Sequence, residues 1–145
     1  MPEEATSSPS SRSEQVEMSV PLRTEFIATL RTVAASIGAD AGFSIDEIDD
    51  LRLAISEVVS SLAESGDGSD DRVETVFEVG AARVAVTITT QHGERDIELD
   101  DLAASILNSV VDEFRVDGSV VVLVKTASEA EGAAGSSDES APSRA

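Results

Sequence analysis

A chain of 145 residues fits a single domain, and its 41% of hydrophobic residues suffices for a core that four Phe, with no Trp or Tyr, leave aliphatic. The formal net charge of −19 makes direct nucleic-acid binding unfavourable, because repeated surface anions repel phosphate backbones. The absence of cysteine excludes disulfides and thiol catalysis, and no apolar run approaches the ~20 residues needed to span a bilayer. The start Met1-Pro2-Glu3-Glu4 lacks the basic and apolar stretches of a signal peptide, so the expected location is cytoplasmic.

Residues 1–13 and 127–145 read as disordered tails. They are rich in Ser, Ala, Gly and Glu and offer too little apolar surface to offset the entropy of ordering them. The folded domain is expected over 14–126, where acids far outnumber bases. Val16, Met18 and Val20 alternate with polar residues up to Pro21, which predicts a short first strand. Leu22, Phe26, Leu30, Val33 and Ile37 follow at helical spacing, with Gly38 as the stop. Ser44-Ile45-Asp46-Glu47 matches a capping box, and the helix it opens aligns Ile48, Leu51, Ile55, Val58 and Leu62 before Gly66-Asp67-Gly68 closes it.

Two strands come next. Val73, Thr75, Phe77 and Val79 share a face of the first, and Val84, Val86, Ile88 and Thr90 a face of the second, with Gly80-Ala81 turning between them. Leu99, Leu102, Ile106 and Val110 predict a third helix. Phe114-Arg115-Val116 and the Val120–Val124 run then form two strands joined at Asp117-Gly118, a strong hairpin signal. The apolar Val120–Val124 run reads as a buried central strand. The order β-α-α-β-β-α-β-β predicts an α+β fold: a two-layer α/β sandwich with a mixed, mostly antiparallel sheet and helices on one face.

Glu57 and Ser61 are i and i+4 on the second helix and share a face, with Asp50 and Ala54 further along the same stripe. A carboxylate there can act as a general base if it looks into a cleft. From spacing alone the more ordinary reading is an exposed acid on an amphipathic helix. His92 and the Asp67, Asp70, Asp71 cluster lack the ligand spacing of a metal site and read as solvated turns.

The segment Phe43–Glu57, with Asp50-Leu51-Arg52-Leu53-Ala54-Ile55-Ser56-Glu57 at its end, resembles the nucleotide-site helix of anti-sigma-factor serine kinases in the histidine kinase-like (GHKL, or Bergerat) ATPase superfamily. Arg83–Ile88 is similar to the strand leading to the family's adenine pocket, and Leu102–Val116 to its last helix and following strand. The resemblance runs from about Val20 to Thr126. It implies Glu57 as candidate general base, and Ser61, Thr90 and Gly93 at ATP-site positions.

The departures are as informative. The family's Glu-x-x-x-Asn pair reads Glu57-Val58-Val59-Ser60-Ser61, so Ser61 stands where the magnesium-holding Asn is expected. The Asp-x-Gly that binds adenine becomes Thr90-Gln91-His92, with Gly93 one place late. Asp100-Asp101-Leu102-Ala103-Ala104 replaces the glycine-rich phosphate stretch, and Gly93–Glu98 is too short for the family's lid.

Two functions follow from the resemblance. One is an anti-sigma-factor-like regulator working by protein–protein binding, with nucleotide binding weak or lost and no cofactor. Its partner would be a sigma factor or an anti-sigma-factor antagonist, and the resemblance also implies a homodimer. The alternative is an active serine kinase using ATP and Mg, with Glu57 as base. Neither reading involves a membrane or direct contact with nucleic acid.

Overall fold

The computed structural model describes residues 14–65, 71–90 and 96–128. The sequence readings for residues 1–13 and 129–145, for Gly66-Asp67-Gly68, for Asp67 and Asp70, and for His92 and Gly93 lie outside the described residues, while Ala127 and Ser128, read as the start of the C-terminal tail, are held by hydrogen bonds from their backbone N–H groups. Strand β1 spans Glu14–Pro21, and a 3-10 turn over Thr24–Phe26 leads into helix α1, Ile27–Asp40. Helix α2 follows at Ile45–Ser65, then the hairpin β2 (Arg72–Gly80) and β3 (Arg83–Thr90). Helix α3 is Asp101–Val110, and a second hairpin, β4 (Glu113–Asp117) and β5 (Val120–Thr126), completes the fold.

The five strands form one sheet in the order β1-β2-β3-β5-β4. Every described pairing is antiparallel, so the parallel component of a mixed sheet is not among them. The reason lies in the second hairpin. Gly118 (φ 63°) opens a two-residue turn that folds β5 directly back on β4. It is β5 that pairs with β3, and β4, which runs parallel to β3, is kept one strand away.

The helices cover one face of the sheet. Val73, Phe77, Val84, Val86, Ile88, Val121 and Leu123 point into a single core with Leu51, Ala54, Ile55 and Val58 of α2 and Leu30, Ala34 and Ile37 of α1. This face carries the residues aligned by the sequence pattern, including fully buried Thr75. Val120 and Val122 lie on the opposite face and are half-buried, so β5 is covered by helices on one side only.

Two helix boundaries differ from expectation. Arg23 is extended (φ −143°), its N–H donates to the Pro21 carbonyl, and α1 therefore starts only at Ile27. Gly38 does not end α1, which runs on to Asp40 and closes at Gly42 (φ 90°). Gly38 is needed for close approach instead: a Cβ there would lie 3.1 Å from Ile48 Cγ1 and 3.2 Å from Phe43 Cδ2. The third helix also differs. It begins at Asp101, buries Ala103 and Leu107, and leaves Leu102 69% exposed, because its entry is set by Asp100 rather than by Leu99.

The capping box that opens α2 forms as expected. Glu47 N–H donates to Ser44 Oγ at 3.1 Å, and Ser44 N–H donates to Glu47 Oε1 at 2.8 Å. The Ser44 amide holds the Glu47 carboxyl below its ordinary value of 4.5, burial opposes the shift, and the Ser128 amide adds to it. A depressed carboxyl stabilises the fold above its unfolded pKa and loses that contribution as pH falls through the folded value. Glu47→Gln should therefore be less stable than the native chain near neutral pH, where the carboxylate is charged. Its deficit relative to the native chain should vanish in urea melts taken below the folded pKa, beneath pH 4.5.

Candidate functional site

The strand and helix directions give the molecule two ends. At one end, the Ala82 N–H in the β2–β3 turn donates to the Ala41 carbonyl at the close of α1, and α2 begins beside it. Lys125 near the end of β5 reaches the Val110 carbonyl, so α3 finishes at this end too. From here β3 runs to Thr90 and α2 runs to Ser65, both toward the opposite end. Helix α3, packed on α2, starts at that opposite end, and Ile97 N–H donates to the Gly118 carbonyl there at 2.8 Å.

The fold thus carries three sequence-predicted features to one end: the second half of α2 with Glu57 and Ser61, the tip of β3 with Thr90, and the N-terminus of α3. Glu57 and Ser61 are half-buried and share a face of α2. Among the described residues neither side chain makes a hydrogen bond or ion pair. Thr90 is half-buried on the helix-covered face, as the alternation of β3 dictates. Asp50 and Ala54 do not join them. Ala54 is fully buried, and Asp50 pairs with Lys125 Nζ at 3.1 Å, about 10 Å back along the helix from Glu57.

The N-terminus of α3 borders this end. A helix start presents unpaired N–H groups that suit phosphate. Here Asp100 is the N-cap, and its Oδ1 accepts the Ala103 N–H at 2.8 Å, with Asp101 in the first turn. The Ala103 N–H is thereby satisfied within the chain. The connection into α3 is also tied down, since Ile97 is buried in the core.

Comparison with known proteins bears on the fold. The chain is 26% identical over 117 residues to the serine-protein kinase RsbW of Bacillus pumilus, covering 77% of this chain and 72% of that one. The RsbW of Bacillus mycoides is 24% identical over 135 residues, covering 77% and 84%. The solved structure of the RsbU and RsbW domains of a Mycobacterium tuberculosis protein superposes with a TM-score of 0.57 at 18% identity, over 79% of this chain and 32% of that longer one. The domain is RsbW-like. No family model matches the chain.

One feature of this RsbW-like domain escaped the sequence pattern. On the outer side of the α1–α2 pair, Arg31, Asp49, Arg52, Leu53 and Ser56 line a shallow depression. Arg52 Nη1 pairs with Asp49 Oδ1 at 3.3 Å while its Nε is buried without a partner. Arg31 is exposed and, among the described residues, its side chain has no partner. The signal in the sequence is weak, because two arginines 21 positions apart meet only once the helices pack.

The Asp100 cap gives a direct check. Asp100→Ala should destabilise the fold by about 1 kcal/mol in chemical denaturation, the usual worth of an N-cap carboxylate. The amide of Ala103 should lose hydrogen-exchange protection with it.

Proposed function

We propose that the chain is a regulator of the anti-sigma-factor type, acting by protein–protein contact, with nucleotide binding weak or lost. The observation that carries this reading is the self-capped start of α3, where Asp100 occupies an N–H group suited to phosphate and Asp101 adds a second charge. Ser61 and Thr90 point the same way. A serine hydroxyl on α2 and a threonine on β3 lack the amide and the carboxylate that the family uses for metal and adenine. The partner is a sigma factor or an anti-sigma-factor antagonist, and a homodimer with a cytoplasmic site of action goes with this reading. Among the described residues no helix is long and apolar enough to cross a membrane.

The depression formed by Arg31, Arg52 and half-exposed Leu53 suits contact with a partner carboxylate beside an apolar side chain. On a surface of net charge −19, two guanidinium groups with spare donors are a local exception that steers acidic groups to one place. Arg31→Glu should weaken capture of the cognate sigma factor or antagonist about tenfold or more, read by titration, and leave the unfolding midpoint unchanged.

One observation favours the kinase alternative. Glu57 is retained, half-buried and unpaired among the described residues, as a general base should be, and the relatives are named serine-protein kinases. Calorimetric titration of Mg-ATP into the full chain separates the two. The regulator reading expects no saturable heat up to millimolar nucleotide. Micromolar binding, tightened by Ser61→Asn and followed by phosphotransfer that Glu57→Gln abolishes, would establish the kinase.

A further inference from the structure

The chain leaving β5 is fastened to α2 twice. Lys125 Nζ meets Asp50 Oδ2 at 3.1 Å, and three residues later Ser128 N–H donates to Glu47 Oε2 at 2.7 Å. Glu47 and Asp50 are three apart on the helix, so one face of its first turns receives the exit of the strand. The same short segment grips its surroundings. Lys125 Nζ also donates to the Val110 carbonyl at 2.9 Å, at the end of α3. Ala127 N–H donates to the Ala82 carbonyl, and Ala82 N–H donates in turn to Ala41.

Glu47 is the shared element. Its Oε1 accepts the Ser44 amide and completes the cap of α2, while its Oε2 holds the departing chain. A glutamate free to rotate caps poorly, because fixing its side chain costs up to ~2 kcal/mol of rotamer entropy. With Ser128 in place that ordering serves two hydrogen bonds. With Ser128 removed it must be met by the cap alone.

We infer that Lys125–Ser128 is a strap through which the C-terminal segment controls α2: drawing Ser128 off Glu47 loosens the first turn of the helix that carries Glu57 and Ser61. The coupling is reciprocal, so whatever orders the start of α2 also fixes the path of the chain beyond β5. A partner that engages the C-terminal segment thereby acts on the helix of the candidate site. This device holds whether that site is a contact surface or a kinase centre. The low pKa of Glu47, to which both amides contribute, accords with a carboxylate held from two sides.

A double-mutant cycle in the full chain tests it. Ser128→Pro deletes the N–H donor, and Glu47→Gln leaves one acceptor oxygen for two donors. Each single variant should be destabilised in urea, and the double variant should fall short of the product of the two effects by about fivefold in the unfolding constant. Ser128→Pro should also speed hydrogen exchange severalfold at the Ile48 amide, which donates to the Ser44 carbonyl, although the two sites are 80 residues apart. A multiplicative cycle, or Ile48 exchange unchanged while residues 125–128 loosen, would overturn the strap. Should Ser128→Pro fail to fold, exchange of the Ser128 amide in Glu47→Gln serves instead: acceleration supports the strap and an unchanged rate removes it.

Discussion

Leu51, Ala54, Ile55 and Val58 of α2 are fully sealed against the sheet, and the positions of the other helices are set against that stripe. Helix α1 reaches it only because Gly38 admits Ile48 and Phe43 at closest approach, and α3 lies along its other flank. With no Trp or Tyr in the chain, the core is built from many small aliphatic contacts rather than a few large rings. Such a core tolerates little displacement of its central helix, since packed interiors transmit shifts instead of absorbing them. The placement of Glu57 and Ser61 at one end is a consequence of that packing.

Charge imposes the second constraint. A domain this acidic repels itself, and two of its cations join elements. Arg72 donates from Nε and Nη2 to Ser19, fastening β2 to the edge strand β1. Lys125, with its side chain only 12% exposed, ties β5 to α2 and to the end of α3. Arg31 and Arg52 stand apart from this pattern: they lie on the outer helical surface and retain donors that no element of the fold uses.

The element order and the inner faces of β2 and β3 were legible in the sequence, because their alternation and the Ser44–Glu47 box are local signals, whereas the unbroken Val120–Val124 run did not say which of its residues face the helices. Boundaries were less so. Gly38 looked like a stop because glycine often is one, yet its role is a contact with a second helix that no local window contains. Leu102 looked inward by spacing, but Asp100 starts α3 one register away. The mixed sheet expected from the family gave way to a wholly antiparallel set of described pairings once the Gly118 turn fixed which strand meets β3. Of the candidate site, Glu57, Ser61 and Thr90 were named through the family resemblance and are gathered at one end. Gly93 falls outside the described residues, and the Arg31–Arg52 depression and the Glu47–Ser128 bond join residues too distant for any periodicity to reveal.

The pairing of β1 with β2 matches Glu14 to Val79 and Pro21 to Arg72, so this edge closes a loop that contains both α1 and α2. The two hairpins, by contrast, close across two residues each. Loop-closure entropy therefore weighs differently on the pairings: the hairpins close locally, whereas β1 must find β2 across both helices. Because β1 is held to the sheet through β2 alone, its release would turn β2 into an edge able to template a strand from another chain.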